Sequence, residues 1–192
     1  MEKNEEKKSL KRKLLPLTLC AFVVIFDQIT KAIVAAISNP GDELWSCFGG
    51  FIKFTHQRNP GVAFSLGAGW HPMVNKFVFV VIPILVIAYV IKVCMRTDEL
   101  TDLQRWSIFA IIGGGIGNLI DRVFRTSGVV DFIDVQWFGW HDCPLSFFRG
   151  DRFATFNVGD SFVVVFGIVL IVTFVINYAK QSKENKKNKK EK

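Results

Sequence analysis

A membrane all-α core with a small β element is expected of this sequence: a four-transmembrane-helix bundle carrying a small sheet in its first outer loop. Three features point there. Four apolar stretches are each long enough to cross about 30 Å of hydrocarbon. Charge is gathered at the two chain ends rather than spread along the chain, and a β-patterned run falls in the connection between the first two apolar stretches.

Half the residues are apolar (50%), and 192 residues are the length of one domain. Residues 1–13 hold Lys3, Lys7, Lys8, Lys11, Arg12 and Lys13. Residues 179–192 hold Lys180, Lys183, Lys186, Lys187, Lys189, Lys190 and Lys192. A nucleic-acid binder would share its basic residues over a folded, soluble surface. Two basic tails flanking an apolar middle instead describe a membrane protein with both ends on one side, so nucleic acid is not an expected partner. The chain therefore divides into a basic tail (1–13), a membrane domain (14–178) and a second basic tail (179–192).

The first apolar segment, 14–37, is read as a retained first helix, because it runs well past the h-region of a cleavable signal peptide. Its second half carries Asp27, Gln28, Thr30 and Lys31. Asp27 and Lys31 are four residues apart, so they share a helix face and can pair. The first outer loop, 38–72, contains Phe51–His56 as a β-like run, Asn59-Pro60-Gly61 as a turn and Val62–Leu66 as a returning strand. Trp45 and Trp70 are expected at interfacial height. His56 and His71 have no acid or cysteine at ligand spacing and are read as surface residues. The second segment, 73–95, tolerates Pro83 as membrane helices do and is read as a packing helix.

The third segment, 104–124, carries Gly113, Gly114, Gly115 and Gly117, then Asn118, Asp121 and Arg122, where a lipid-facing helix should be apolar. One Asp or Arg at a helix centre costs about 2.5–3.5 kcal/mol on insertion scales. Several together require a reason. The glycines allow close helix approach or room for a substrate helix. The second outer loop spans 125–157, and the fourth helix, 158–178, has Asp160 and Ser161 in its first turn. Asn157, three residues before Asp160, can cap that helix.

The positive-inside rule puts both tails and the short link near Lys92, Arg96 and Arg105 in the cytoplasm. The third helix then runs outward, and at about 1.5 Å per residue Asp121 lies roughly 24 Å along it, near the outer face. Asp160 enters from that face and Asp131 lies between the two. Acids distant in sequence thus converge at one membrane depth.

Paired carboxylates cannot both ionise easily, so one keeps its proton. The charged partner can take a proton from water while the protonated one polarises a carbonyl. That is aspartic-protease chemistry, with no metal and no cofactor. No Ser-x-x-Lys, His-Glu-x-x-His or Gly-x-Ser-x-Gly rivals it. Asp121 adjoins Arg122 and precedes Arg125 by four, which suits a salt bridge. Asp131 is flanked by Val129, Val130, Phe132 and Ile133, where desolvation favours a retained proton. Physical grounds therefore favour Asp131 with Asp160 as the pair, with Asp121 and Arg122 in support. Asp134 and Asp151 are expected to be solvated. The four cysteines lack metal-ligand spacing. Cys20 and Cys94 are expected as small buried hydrophobes, and Cys47 and Cys143 both fall in outer loops, where a disulfide could form.

Five stretches in order, Phe26–Lys31, Asn59–Phe64, Gly117–Arg122, Val129–Phe132 and Phe156–Ser161, together resemble the bacterial lipoprotein signal peptidases (signal peptidase II) from the first helix to the fourth. The resemblance implies an integral-membrane aspartic endopeptidase that cuts the signal peptide from a prolipoprotein immediately before a diacylglyceryl-modified cysteine. It implies catalytic roles for Asp131 and Asp160, and site-shaping or substrate-binding roles for Asp27, Lys31, Asn59, Gly61, Asn118, Asp121, Arg122 and Asn157. It also implies a multi-pass protein of the bacterial inner membrane, with both termini cytoplasmic and the site near the outer leaflet. Membrane lipid is an expected partner, the surface sheet becomes a cradle for the lipid-bound substrate, and globomycin is the expected inhibitor. Two departures stand out. Gly159 replaces the usual Ala, which is expected to loosen the helix start slightly, and residues 138–152 form a longer second outer loop than usual. A small ion- or proton-coupled transporter or channel is the alternative for intramembrane acids, and a non-catalytic assembly factor is a further one.

Overall fold

The structure, a computed structural model, describes residues 10–60, 70–136 and 151–190. Among these, four helical stretches are long and apolar enough to cross a membrane: 10–37, 73–96, 102–124 and 158–183. The regular elements are α1 (Leu17–Ile37), β1 (Glu43–Cys47), β2 (Ile52–Asn59), α2 (Pro72–Lys76), α3 (Ile82–Arg96), α4 (Asp102–Phe124), β3 (Val129–Val135) and α5 (Val158–Lys190).

α4 is the central helix and packs against both α1 and α5. Its start lies two residues before the expected Gln104, because Thr101 and Gln104 form a reciprocal cap: Gln104 N–H donates to Thr101 Oγ1 (3.3 Å) and Thr101 N–H to Gln104 Oε1 (3.0 Å). Close packing on either side depends on glycine. A Cβ on Gly113 would lie 2.8 Å from the Cys20 carbonyl oxygen, and one on Gly114 would lie 2.3 Å from that of Gly159. Only hydrogen fits there.

The second crossing packs one face on the core, with Cys94 buried and Ile87, Val90 and Ile91 against the same cluster. α2 runs into a π-turn, Phe77–Val81, and then into α3, with Pro83 just beyond the turn. Proline lacks an N–H and its ring crowds the carbonyl four residues back, so a wider local turn relieves the clash. Most of this stretch faces outward: Phe77, Ile84, Leu85, Val86 and Tyr89 are all exposed. In a membrane protein that surface is lipid-facing.

The sheet is antiparallel in the order β1-β2-β3. Its third strand comes from the second outer loop, so the sheet is not confined to the first. Local pattern does not announce β3, because its run, Val-Val-Asp-Phe-Ile-Asp-Val, is apolar without clean alternation, and Val129–Phe132 are buried. The returning strand expected at Val62–Leu66 and the residue Gly61 lie outside the described residues, as do Cys143 and residues 137–150 of the long second loop. Gly128 makes the turn from α4 into β3 at φ +92°, and a Cβ there would meet the Asn59 carbonyl oxygen at 2.3 Å.

Three further expectations are corrected. His56 is buried at 1% exposure, not a surface residue; its Nδ1 lies 3.1 Å from both Oγ and the carbonyl oxygen of Ser38 at the end of α1. Burial lowers its pKa from the ordinary value. Asp134 is not solvated but ion-paired with Arg152 at 2.7 Å. The fourth crossing helix does not stop at Tyr178; helical backbone continues through the basic segment to Lys190. Cys20 and Cys94 are buried within an apolar cluster around Phe109 and Ile112, as expected.

At the end of the bundle away from the sheet, Arg12 is ion-paired with Asp102 and Lys13 with Asp98. Arg105, expected only as a flanking charge, is buried and donates to the carbonyls of Cys94 and Thr97, closing the end of α3.

Candidate active site

The site is assembled from α1, α4, β2, β3 and the start of α5. Its foundation is a buried ionic cluster. Asp27, Lys31 and Asp121 are each 0% exposed. The i,i+4 pairing expected within α1 is present, with Lys31 Nζ 2.8 Å from Asp27 Oδ2. The same ammonium donates to Asn118 Oδ1 (2.7 Å) and lies 3.4 Å from Asp121 Oδ2. The ammonium is thus hydrogen-bonded to Asn118, paired with Asp27 and within ion-pair distance of Asp121, the compensation that burying a charge requires.

Asp121 ties the elements together. It accepts from Arg125 Nε (3.0 Å), from Gln28 Nε2 (3.2 Å) and from the backbone N–H of Val130 (3.1 Å). A carboxylate on α4 therefore fixes the first residues of β3, and with them Asp131. Asp27 does the equivalent for α5: its Oδ1 accepts from the Gly159 backbone N–H at 2.8 Å. The start of α5 is thereby tied to α1. A Cβ on Gly159 would lie 3.0 Å from both Asp27 Oδ1 and the Gly114 carbonyl oxygen. Gln28 belongs to this cluster without being a candidate from the sequence, where its one signal is a polar residue beside Asp27 in an apolar helix.

Asn157 and Asp160 form a reciprocal cap at the start of α5. Asp160 N–H donates to Asn157 Oδ1 (3.0 Å), and Asn157 N–H donates to Asp160 Oδ2 (3.1 Å). Asp160 thereby sits at the positive end of the helix dipole. Its other oxygen, Oδ1, accepts from Asn118 Nδ2 at 2.7 Å. The Asn157 amide then reaches across to β3: Nδ2 donates to Asp131 Oδ1 (2.7 Å) and to Asn118 Oδ1 (2.9 Å). Asp131 Oδ2 accepts from Asn59 Nδ2 on β2 (3.1 Å). Each asparagine orientation is set by its neighbours, because Asn118 Oδ1 faces an ammonium and its Nδ2 faces a carboxylate.

Asp131 is 4% exposed. Burial, followed by the neighbouring charge of Asp160, pushes its pKa up to about 6 from the ordinary 3.8, against the opposing hydrogen bonds from Asn59 and Asn157. Asp131 and Asp160 both line a cavity of about 830 Å³, together with Asn59, Asn118 and Arg122. Its remaining walls are largely apolar, supplied by the second crossing (Val78, Phe79, Pro83) and by Val163, Val164 and Val165 of α5. Every candidate site residue within the described chain is thus in this cavity wall or in the hydrogen-bonded cluster behind it.

Four membrane-length helices around a buried ionic cluster, opening to a carboxylate-lined cavity beneath a small sheet, define a multi-pass membrane protein with a built polar site. The signal peptidase (SPase) II family model matches residues 19–176. The lipoprotein signal peptidase of Treponema denticola is 41% identical over 168 residues, 88% of this chain and 92% of that protein. Those of Treponema pallidum (36% over 165 residues, 86% of this chain and 85% of that protein) and Borrelia turicatae (39% over 162 residues, 84% and 89%) are similar over comparable lengths. Two solved structures described as bacterial membrane enzymes, at 2.3 Å and 1.9 Å resolution, superpose with TM-scores of 0.70 and 0.67. Each is 29% identical; the first match covers 86% of this chain and 90% of the other, the second 83% and 92%. The chain belongs to the signal peptidase II family and is a peptidase. This assignment is favoured over the transporter reading of the same acids.

Proposed function

We propose that this chain is an integral-membrane aspartic endopeptidase that removes signal peptides from prolipoproteins, cutting immediately before a diacylglyceryl-modified cysteine. The observation that carries the reading is the joining of Asp131 and Asp160, at one cavity, by hydrogen bonds to the single residue Asn157. The two carboxyls have different surroundings, which suits different roles. Asp131 is buried, and its pKa of about 6 suits a group that holds a proton. Asp160 lies at a capped helix start and accepts two N–H donors.

In this reading Asp160 takes a proton from water, and the water oxygen attacks the scissile carbonyl carbon. Asp131 passes its proton to the carbonyl oxygen, giving a neutral tetrahedral diol. Asp160 then protonates the departing amine, the C–N bond breaks, and the diol returns its proton to Asp131. Asn118, Asn157 and Asn59 keep the two acids oriented, while Lys31, Asp27 and Asp121 position the elements that carry them. Arg122, in the cavity wall, is suited to the polar part of the substrate.

The localisation proposed is the bacterial inner membrane, with both termini cytoplasmic and the site near the outer leaflet. Support comes from the ion pairs that gather Arg12 and Lys13 beside the 97–101 link, and from the basic continuation of α5. Membrane lipid surrounds the bundle, and globomycin is the proposed inhibitor. The test is incubation of the purified protein in detergent with a diacylglyceryl-modified precursor, with and without globomycin. Asp131→Asn and Asp160→Asn are each expected to abolish cleavage while leaving the fold intact. Unimpaired cleavage in both variants would rule the pair out.

A further inference from the structure

The four glycines of α4 are not alike. Gly113, Gly114 and Gly117 each face an atom of α1 or α5 at 2.3–2.8 Å from where a Cβ would stand, so helix packing explains them. Among the described residues Gly115 has no such neighbour. The nearest atom to its Cβ position is Ile87 Cδ1 at 3.9 Å, an ordinary contact, and its φ is not one that requires glycine. A glycine inside a helix is destabilising relative to alanine. At this position no tight contact with the described residues offsets that.

Gly115 does, however, line the cavity that holds Asp131 and Asp160. It lies one helical turn before Asn118, whose amide donates to Asp160, and so sits about 4.5 Å deeper along α4 than the carboxylates. The apolar lining of the cavity includes Pro83 of the second crossing and Val164 of α5, the latter one turn beyond Asp160. A peptide bond held at the carboxylates, with its N-terminal side running into the membrane, brings the preceding side chains to this level. The distance corresponds to about three residues of helix or one to two residues of extended chain.

We propose that Gly115 sets the size limit for the substrate side chain that lies one turn below the scissile bond. This rests on the peptidase reading above. The bare backbone leaves room that a larger residue would fill, and in an apolar pocket one methylene more or less is worth roughly 10–200-fold in selectivity.

The test uses the full-length protein in detergent, after wild-type cleavage and its loss in Asp131→Asn have established the peptidase reading separately. Gly115→Ala and Gly115→Val are assayed on lipidated precursors carrying Ala, Val or Leu at each of the three positions before the cut. A second series varies acyl length with the peptide held constant. We expect both variants to unfold at or above the wild-type temperature. At one of the three positions, kcat/KM for Leu relative to Ala is expected to fall at least ~10-fold, and further in Gly115→Val than in Gly115→Ala. The acyl series should show no such change. Unchanged side-chain selectivity in both variants, selectivity that follows acyl length instead, or unfolding of Gly115→Ala below wild type would overturn the assignment.

Discussion

Replacing Asp131 with asparagine should make the protein inactive and, at neutral pH, more stable. The folded-state pKa of about 6 exceeds the ordinary 3.8, so the folded chain binds this proton more tightly than the unfolded chain. The stability it contributes is therefore fully present below about pH 3.8 and is lost as pH rises through about 6, a total of about 3 kcal/mol at about 1.4 kcal/mol per pKa unit. Asparagine removes that titration. It also keeps only one acceptor for two donors, Asn157 Nδ2 at 2.7 Å and Asn59 Nδ2 at 3.1 Å, and turns an NH2 towards the other. That mismatch costs about 1–2 kcal/mol at every pH. The variant should consequently be less stable than wild type by about 1–2 kcal/mol near pH 4 and more stable by a similar amount at pH 7. For a chain of this length each kcal/mol moves Tm by about 2–4 °C. Tryptophan fluorescence during thermal unfolding in detergent, from pH 4 to pH 8, reads the difference. A Tm difference that stays constant across that range would refute the assignment of Asp131 as the desolvated acid.

Two further substitutions probe the parts behind the carboxylates. Lys31→Met leaves Asp27 and Asp121 buried without their shared ammonium, and unfolding measurements should show a loss of about 3–5 kcal/mol; a variant as stable as wild type would mean the cluster does not depend on that charge. Gly117→Ala puts a methyl group 2.3 Å from Asp27 Oδ2, so the Asp27 carboxylate must be displaced, weakening its bond from the Gly159 N–H. Reduced thermal stability together with reduced cleavage is expected, and an unaffected protein would show that this contact is not a fixed one.

Much of the molecule was legible from local pattern. Apolar length gave the crossing helices. The spacing of Asp27 and Lys31 gave their pairing, and the spacing of Asn157 and Asp160 gave the cap at the head of α5. These depend on neighbours three or four residues away, whose relative positions a helix determines. The burial of His56 and the ion pair of Asp134 are not legible locally, because their partners, Ser38 and Arg152, lie 18 residues away in sequence. The same holds for β3, whose partner strand β2 lies in the other outer loop.

Residue order alone yields the inventory: four membrane-length helices and the polar residues they carry. Which of those groups share hydrogen bonds depends on how the elements pack. Lys31 to Asn118, Asn118 to Asp160, Asp27 to Gly159 and Asn157 to Asp131 join residues from separate elements. Desolvation makes an unpartnered polar group costly inside the bundle, so packing selects the arrangement in which these are satisfied together. That selection follows from how the helices and strands meet in space, where spacing along one chain carries no such information.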